Sequence, residues 1–123
     1  MIQLAEPAGA LERLKVAFRK CPQDFEALKD EVSAGNVSLY QIHGEGYDVT
    51  IAGEIVGDSY FLWGVSGVGV VKAMQELAPV VRRLGLNSIS AETYFPALAR
   101  LVKPLHTNEK QPGEEVTALT MRV

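Results

Sequence analysis

The chain has 123 residues, of which 47% are hydrophobic, enough to bury one core, and no linker or repeat divides it, so a single domain over 1–123 is expected. A net charge of −3 with 22% charged residues leaves no basic stripe to track a phosphate backbone, which disfavours a nucleic-acid partner. The single cysteine, Cys21, excludes an internal disulfide and a cysteine-built zinc site, no metal site is expected, and the lack of a leader or a membrane-length apolar run predicts a soluble cytoplasmic protein without a membrane partner.

Ile2 to Ala5 reads as a short edge strand ended by Pro7. Leu11, Leu14 and Phe18 then repeat at helical spacing within Ala8 to Lys20, an amphipathic helix interrupted by Cys21-Pro22. Asp24 offers an N-cap to a second helix with Phe25, Leu28 and Val32 inward and Gly35-Asn36 as its stop. From Val37 the period changes to two. Val37, Leu39, Tyr40 and Ile42 form one strand, Gly44-Glu45-Gly46 a turn, and Tyr47, Val49 and Ile51 an antiparallel partner. Gly53 to Asp58 either extends this strand or forms another.

The next stretch, Ser59 to Ala73, organises the rest. Tyr60-Phe61-Leu62-Trp63 is a β-prone run that breaks into Gly64, Gly67 and Gly69, after which Val70, Ala73, Met74 and Leu77 mark a helix. A strand passing through a glycine turn into a helix N-terminus presents free amides and a positive dipole end, which favour an anion. Gly67 and Gly69 have no Cβ, so a phosphate could approach the main chain there, in a turn outside the core. Lys72, in the first helical turn, could meet the same phosphate. The helix is expected to run to Leu84 with a kink at Pro79 and Gly85 as its stop. Asn87 to Glu92 is a strand parallel to the aromatic one through a right-handed crossover. Thr93 can cap a helix over Tyr94 to Val102, ended by Pro104. Thr107 to Glu115 reads as a loop, and Thr117 to Val123 as a closing strand.

This order of elements resembles the GNAT family of acyl-coenzyme A-dependent N-acyltransferases over nearly the whole chain. The segment Gly64-Val65-Ser66-Gly67-Val68-Gly69 is similar to that family's Q/R-x-x-G-x-G/A turn, with Gly64 in place of Gln or Arg, and Gly53-Glu54-Ile55-Val56-Gly57 is similar to its G-E-x-V-G. The resemblance implies an α/β fold, a mixed sheet whose antiparallel meander is followed by a βαβ crossover, with helices on both faces. It also implies acetyl-CoA or another acyl-CoA as substrate, held by Val65, Ser66, Gly67, Val68, Gly69, Val70 and Lys72, and a small-molecule or protein amine as acceptor. Glu54 and Asp58 are the carboxylates placed to take the amine's proton, and Glu92 ends the parallel strand nearby. Where the family often has a tyrosine that protonates the departing thiolate, Leu101 has no proton to give, so Tyr94 is the candidate acid. The compact pattern is also similar to GNAT-like proteins encoded by bacteriophages. That likeness implies a host-cytoplasmic location and an alternative in which the chain keeps the fold without the chemistry, as a binding or structural protein with a homodimer or virion-assembly partner. His43 and Glu45 on the hairpin, Trp63 and Phe61 in the strand and Lys103 farther on are read as surface or packing residues first.

Overall fold

In the computed structural model, which describes residues 1–93, 108–110 and 117–123, strand β1 (Ile2–Leu4) lies at one edge of the sheet. Pro7, expected only to end that strand, is the first residue of helix α1 (Pro7–Leu14), where a missing N–H costs nothing. The Glu6 carboxylate caps α1 by accepting from the amides of Gly9 (2.7 Å) and Ala8 (3.1 Å), and these bonds hold its pKa below the usual carboxylate value. The helix predicted to reach Lys20 ends at Leu14 and tightens into a 3₁₀ turn, Lys15–Phe18. Phe18 closes that turn buried, its ring 5.7 Å from that of Phe25. Helix α2 (Pro22–Ser33) also begins on a proline, with Cys21 rather than Asp24 at its N-cap. Asp24 lies in the first turn, where a negative charge favours the positive end of the helix.

Three strands then form an antiparallel meander, β2 (Ser38–Gly44), β3 (Tyr47–Val56) and β4 (Ser59–Val68). The stretch that the sequence left open is settled here: β3 continues to Val56, and Gly57-Asp58 is the turn into β4. Nor does β4 break at Gly64. It runs on to Val68, with Gly67 paired opposite Val49, because β3 supplies ladder partners along its whole length. Helix α3 (Val70–Arg83) carries Pro79 within it and leads to β5 (Ser88–Thr93), parallel to β4 as predicted. Part of the predicted loop is a strand, β6 (Asn108–Lys110), paired with the closing strand β7 (Thr117–Arg122). The polar composition of Asn108–Lys110 gave no warning, because an edge strand needs only backbone partners and β7 offers a free edge. The predicted helix over 94–102, with Tyr94, Leu101, Lys103 and Pro104, lies outside the described residues. The sheet order is β1-β2-β3-β4-β5-β7-β6.

Helices cover both faces of this mixed sheet. Under α3, Ala73, Met74, Leu77 and Val81 pack on Ile42, Val49, Ile51, Tyr60, Leu62 and Ile89. On the other side Ala10 and Leu14 of α1, Phe18 of the 3₁₀ turn and Leu28 of α2 pack on Val37, Leu39 and Ala52. Because β-strand side chains alternate between faces, each core takes every second residue of β2 and β3. Among the described residues no helix is long and apolar enough to cross a membrane.

Candidate active site

The site begins with a mismatch between β3 and β4. Ala52 faces Gly64 but Gly53 faces Leu62, so Trp63 is an extra residue in β4 without a partner in β3. Such a bulge bends its strand and raises the local twist. Pairing between β4 and β5 stops at the same level, at Leu62↔Ala91, although β4 continues to Val68 and β5 to Thr93. The two parallel strands therefore part at the bulge. Beyond Leu62, β4 has no strand partner on its β5 side among the described residues, so the peptide groups that face that side make no ladder bond with them.

At the end of β4, Gly69 adopts φ 76°, ψ 39° and α3 starts at Val70 with no side-chain cap and no acid in its first turn. The first helical bond runs from the Ala73 amide to the Gly69 carbonyl (3.1 Å), which leaves the amides of Val70, Val71 and Lys72 at the positive end of the dipole. Lys72 is exposed, and its Nζ reaches over the neighbouring turn, 3.0 Å from where a Cβ on Gly46 would stand.

The glycines themselves do something other than the sequence suggested. A Cβ on Gly67 would overlap the Asp48 carbonyl oxygen and lie 2.9 Å from the Cα of Val49, and one on Gly69 would lie 2.6 Å from the Gly46 carbonyl oxygen. Their missing side chains let the β2–β3 hairpin close against β4, and the turn is packed rather than open. The anion-favouring element is the row of α3 amides. Gly64 also has a packing cause: a Cβ there would come 2.8 Å from Cε2 of Phe18.

On the α1 face, where the strands part, the Trp63 indole Nε1–H donates to Glu54 Oε1 (2.9 Å). The Phe61 ring stands edge-on to Trp63, at 6.5 Å between centroids and 75° between planes. Glu54 and Trp63 are half-buried. Register puts Glu92 on this same face, exposed and one residue past the last β4–β5 pair. Farther along the face, Thr50, 1% exposed, accepts from Arg13 Nε (2.8 Å) and donates to Gln41 Oε1 (2.6 Å). Arg13 Nη2 also donates to Gln41 Oε1 (3.2 Å), and the Gln41 amide donates to Asp48. Ser66 lies opposite Thr50.

Not all the predicted residues meet. Asp58 sits in the turn before β4, roughly 17 Å along the strand from the bulge at 3.3 Å per residue. There its carboxylate accepts from the Asn87 side-chain amide (2.8 Å) and its carbonyl from the Asn87 backbone amide (2.7 Å), closing the crossover connection. Val65 turns toward the α3 core, Val68 is exposed, and Val70 is partly buried against α3's own core. On the α3 face the Tyr47 hydroxyl donates to Glu76 Oε2 (2.7 Å), and the Met1 amine pairs with Glu76. The amine first, then the phenol, holds the Glu76 pKa below its usual value. Sequence reasoning missed the indole bond to Glu54, because the two residues are brought together only by the β3–β4 register. It equally missed the Arg13–Thr50 contact between α1 and β3.

No family model matches the chain, and no curated protein matches it in sequence. Solved structures match it over nearly full length. The Escherichia coli ribosomal-protein-S18-alanine N-acetyltransferase is 16% identical, with TM-score 0.62, covering 100% of this chain and 93% of that one. A Bacillus subtilis acetyltransferase in complex with CoA is 10% identical, with TM-score 0.66 and coverage of 99% and 97%. An acetyltransferase of the GNAT family from Staphylococcus aureus is 8% identical, with TM-score 0.64 and coverage of 99% and 98%. At such identities the likeness establishes a shared fold: this chain has the GNAT fold.

Proposed function

We propose that this chain uses its GNAT fold to move an acyl group, acetyl or similar, from acyl-coenzyme A to an amine. The observation that carries the reading is the parting of β4 from β5 at the Trp63 bulge. It leaves the β5 side of β4 without a strand partner among the described residues, and that stretch leads straight to a helix N-terminus with no side-chain cap. The pantetheine arm of an acyl-CoA is an extended chain that carries amides and leads to a pyrophosphate, so its shape and charge fit that arrangement. Backbone groups of Val65 and Ser66 would pair with the amides, and the amides of Val70, Val71 and Lys72 with the Lys72 ammonium would meet the phosphates. The fit does not use the missing side chains of Gly67 and Gly69, whose space is filled by β3. A matched Bacillus subtilis protein is itself in complex with CoA, which supports the reading by analogy.

In the reaction, the amine nitrogen forms a bond to the thioester carbonyl carbon, the C–S bond breaks, and the sulfur leaves as a thiolate that takes up a proton. Glu54, on the face where the strands part, is the base we assign to the amine's proton, with Glu92 as the other carboxylate on that face. Asp58, held to Asn87 far from the bulge, is assigned a structural role. Tyr94 is proposed as the acid for the thiolate. The test is unfolding with and without acetyl-CoA, followed by turnover with a panel of amines. At one hundred times its Kd the ligand should add about 2.7 kcal/mol of stability. Glu54→Gln should lower turnover by roughly 10²-fold or more without loss of acetyl-CoA binding, and Tyr94→Phe by about tenfold. Absence of any stabilisation would refute the reading and favour the alternative, a binding or virion-assembly protein that keeps the fold without the chemistry.

A further inference from the structure

We infer that the open edge of β1 is a homodimer interface, at which a second copy of this chain lays its own β1 antiparallel to the first across a two-fold axis at Gln3. The strands β2 and β3 separate this edge from β4, so the inference stands apart from the catalytic reading.

Hydrogen bonds decide which groups of β1 face outward. The Met1 carbonyl accepts from the His43 amide (2.9 Å) and the Ala5 amide donates to the Leu39 carbonyl (3.0 Å), so Met1, Gln3 and Ala5 turn their peptide groups toward β2. In an antiparallel ladder the residues between them point the other way. The N–H and C=O groups of Ile2 and Leu4 therefore project from the sheet edge, where β1 has no neighbour among the described residues. Such groups are a template for another strand, and these match themselves. Turned about an axis at Gln3, Ile2 of each copy exchanges both its bonds with Leu4 of the other.

The side chains agree with the same register. On the α3 face two apolar cross-strand rows run toward this edge, one of Val65, Ile51, Tyr40 and Leu4, the other of Val49, Ile42 and Ile2. Helix α3 buries Ile51, Val49 and Ile42 but not the end of the first row, where Leu4 is 74% exposed, the most of any large hydrophobic among the described residues. The axis sets Ile2 of one copy beside Leu4 of the other, so each row continues into the second copy and its apolar end is covered. On the α1 face the axis brings Gln3 opposite Gln3. A two-fold contact sets like beside like at its centre, and an uncharged amide that both donates and accepts suits that place. The opposite edge of the described sheet does not, since Glu109 at the centre of β6 would meet Glu109. Nor does a charge or a proline interrupt Ile2–Leu4, the devices by which sheet edges are commonly kept apart.

Strands this short bury little area, so the dimer should be weak and should dissociate on dilution. The experiment is sedimentation velocity on the full chain from micromolar to near-millimolar concentration, where the mass should rise from that of one chain to that of two. Gln3→Lys and Gln3→Glu, at an exposed position, each set like charges across the axis and should weaken the dimer severalfold at low salt. Mixed in equal amounts, the two variants set opposite charges there and should dimerise again. Circular dichroism checks that each is folded. Should either fail to fold, Gln3→Cys with Cys21→Ser decides: the facing Cα atoms would stand about 4.5 Å apart, within reach of a disulfide, so mild oxidation should link two chains. A natural chain that stays monomeric throughout overturns the inference and leaves the edge to a strand of a different protein. A dimer indifferent to both charges, a mixture no more dimeric than its components, or no cross-link where that variant decides, overturns it equally.

Discussion

Replacing Gly67 by alanine should destabilise the fold far more than the same change at Gly35, Gly57 or Gly85, glycines with positive φ and nothing within 4 Å of a would-be Cβ. Gly67 lies in β4 with φ +135°, and its Cβ would overlap the Asp48 carbonyl and stand 2.9 Å from the Val49 Cα, both backbone atoms of a strand paired on its two sides. Gly57 is the internal control, with φ +62° and nothing within 4 Å of its would-be Cβ. Alanine at 57 therefore carries only the conformational cost of a left-handed residue, about 1–2 kcal/mol. At 67 the conformational cost recurs, and β3 must also move by roughly an ångström against its ladder, which adds about 1–3 kcal/mol of stored strain. The total of roughly 2–5 kcal/mol is a large part of the 5–15 kcal/mol typical of a domain. Urea denaturation of wild type, Gly57→Ala and Gly67→Ala, with m-values compared, measures the difference directly. If Gly67→Ala lost no more than Gly57→Ala, the packed-hairpin account of the glycine turn would be wrong. The space at Gly67 would then be free for a ligand.

Tyr60 is 8% exposed and its hydroxyl has no hydrogen-bond partner among the described residues, so Tyr60→Phe should hold or raise stability by about 1 kcal/mol in urea denaturation. Burial, with a smaller contribution from Tyr40, raises its pKa above the usual 10.0. The protonated phenol's contribution is therefore complete below pH 10 and lost as the pH climbs toward the folded-state value, and Tyr60→Phe should flatten that alkaline fall. Glu76 has the opposite sign: its lowered pKa contributes stability above the usual 4.5 that is lost as the pH falls through the folded-state value. Glu76→Gln should flatten the stability profile of the chain on that acid side, as read by thermal unfolding from pH 6 to 3. Thr50→Val removes a buried hydroxyl bonded to Arg13 and Gln41 and should cost about 1–3 kcal/mol. A urea midpoint equal to that of wild type would show that these bonds contribute nothing.

What the chain's residues determined alone was the local pattern. The change of period at Val37, the helical face of Val70, Ala73, Met74 and Leu77, and the strand–helix–strand order around them each reflect side chains close in sequence. The parallel β4–β5 pair could be inferred from them because a crossover through one helix brings two strands side by side in a single direction. The GNAT likeness was legible for the same reason, since it lies in the order of elements. Tertiary structure decided what the glycines and polar residues are for. The bulge that matches no residue of β3 to Trp63 depends on how two strands settle against each other, and at its level the indole meets Glu54 and the pairing of β4 with β5 ends. Gly64 reads as a lost motif position until Phe18, from a separate element, is seen to fill its space. Gly67 and Gly69 read as a phosphate cradle until the backbone of Asp48 and Gly46 is found there. Asp58 and Glu54 stand four residues apart as equivalent carboxylates, yet the turn at Gly57 gives one to Asn87 and the register gives the other to Trp63. Contacts between residues distant in the chain depend on register and packing, which no local pattern of polar and apolar residues encodes.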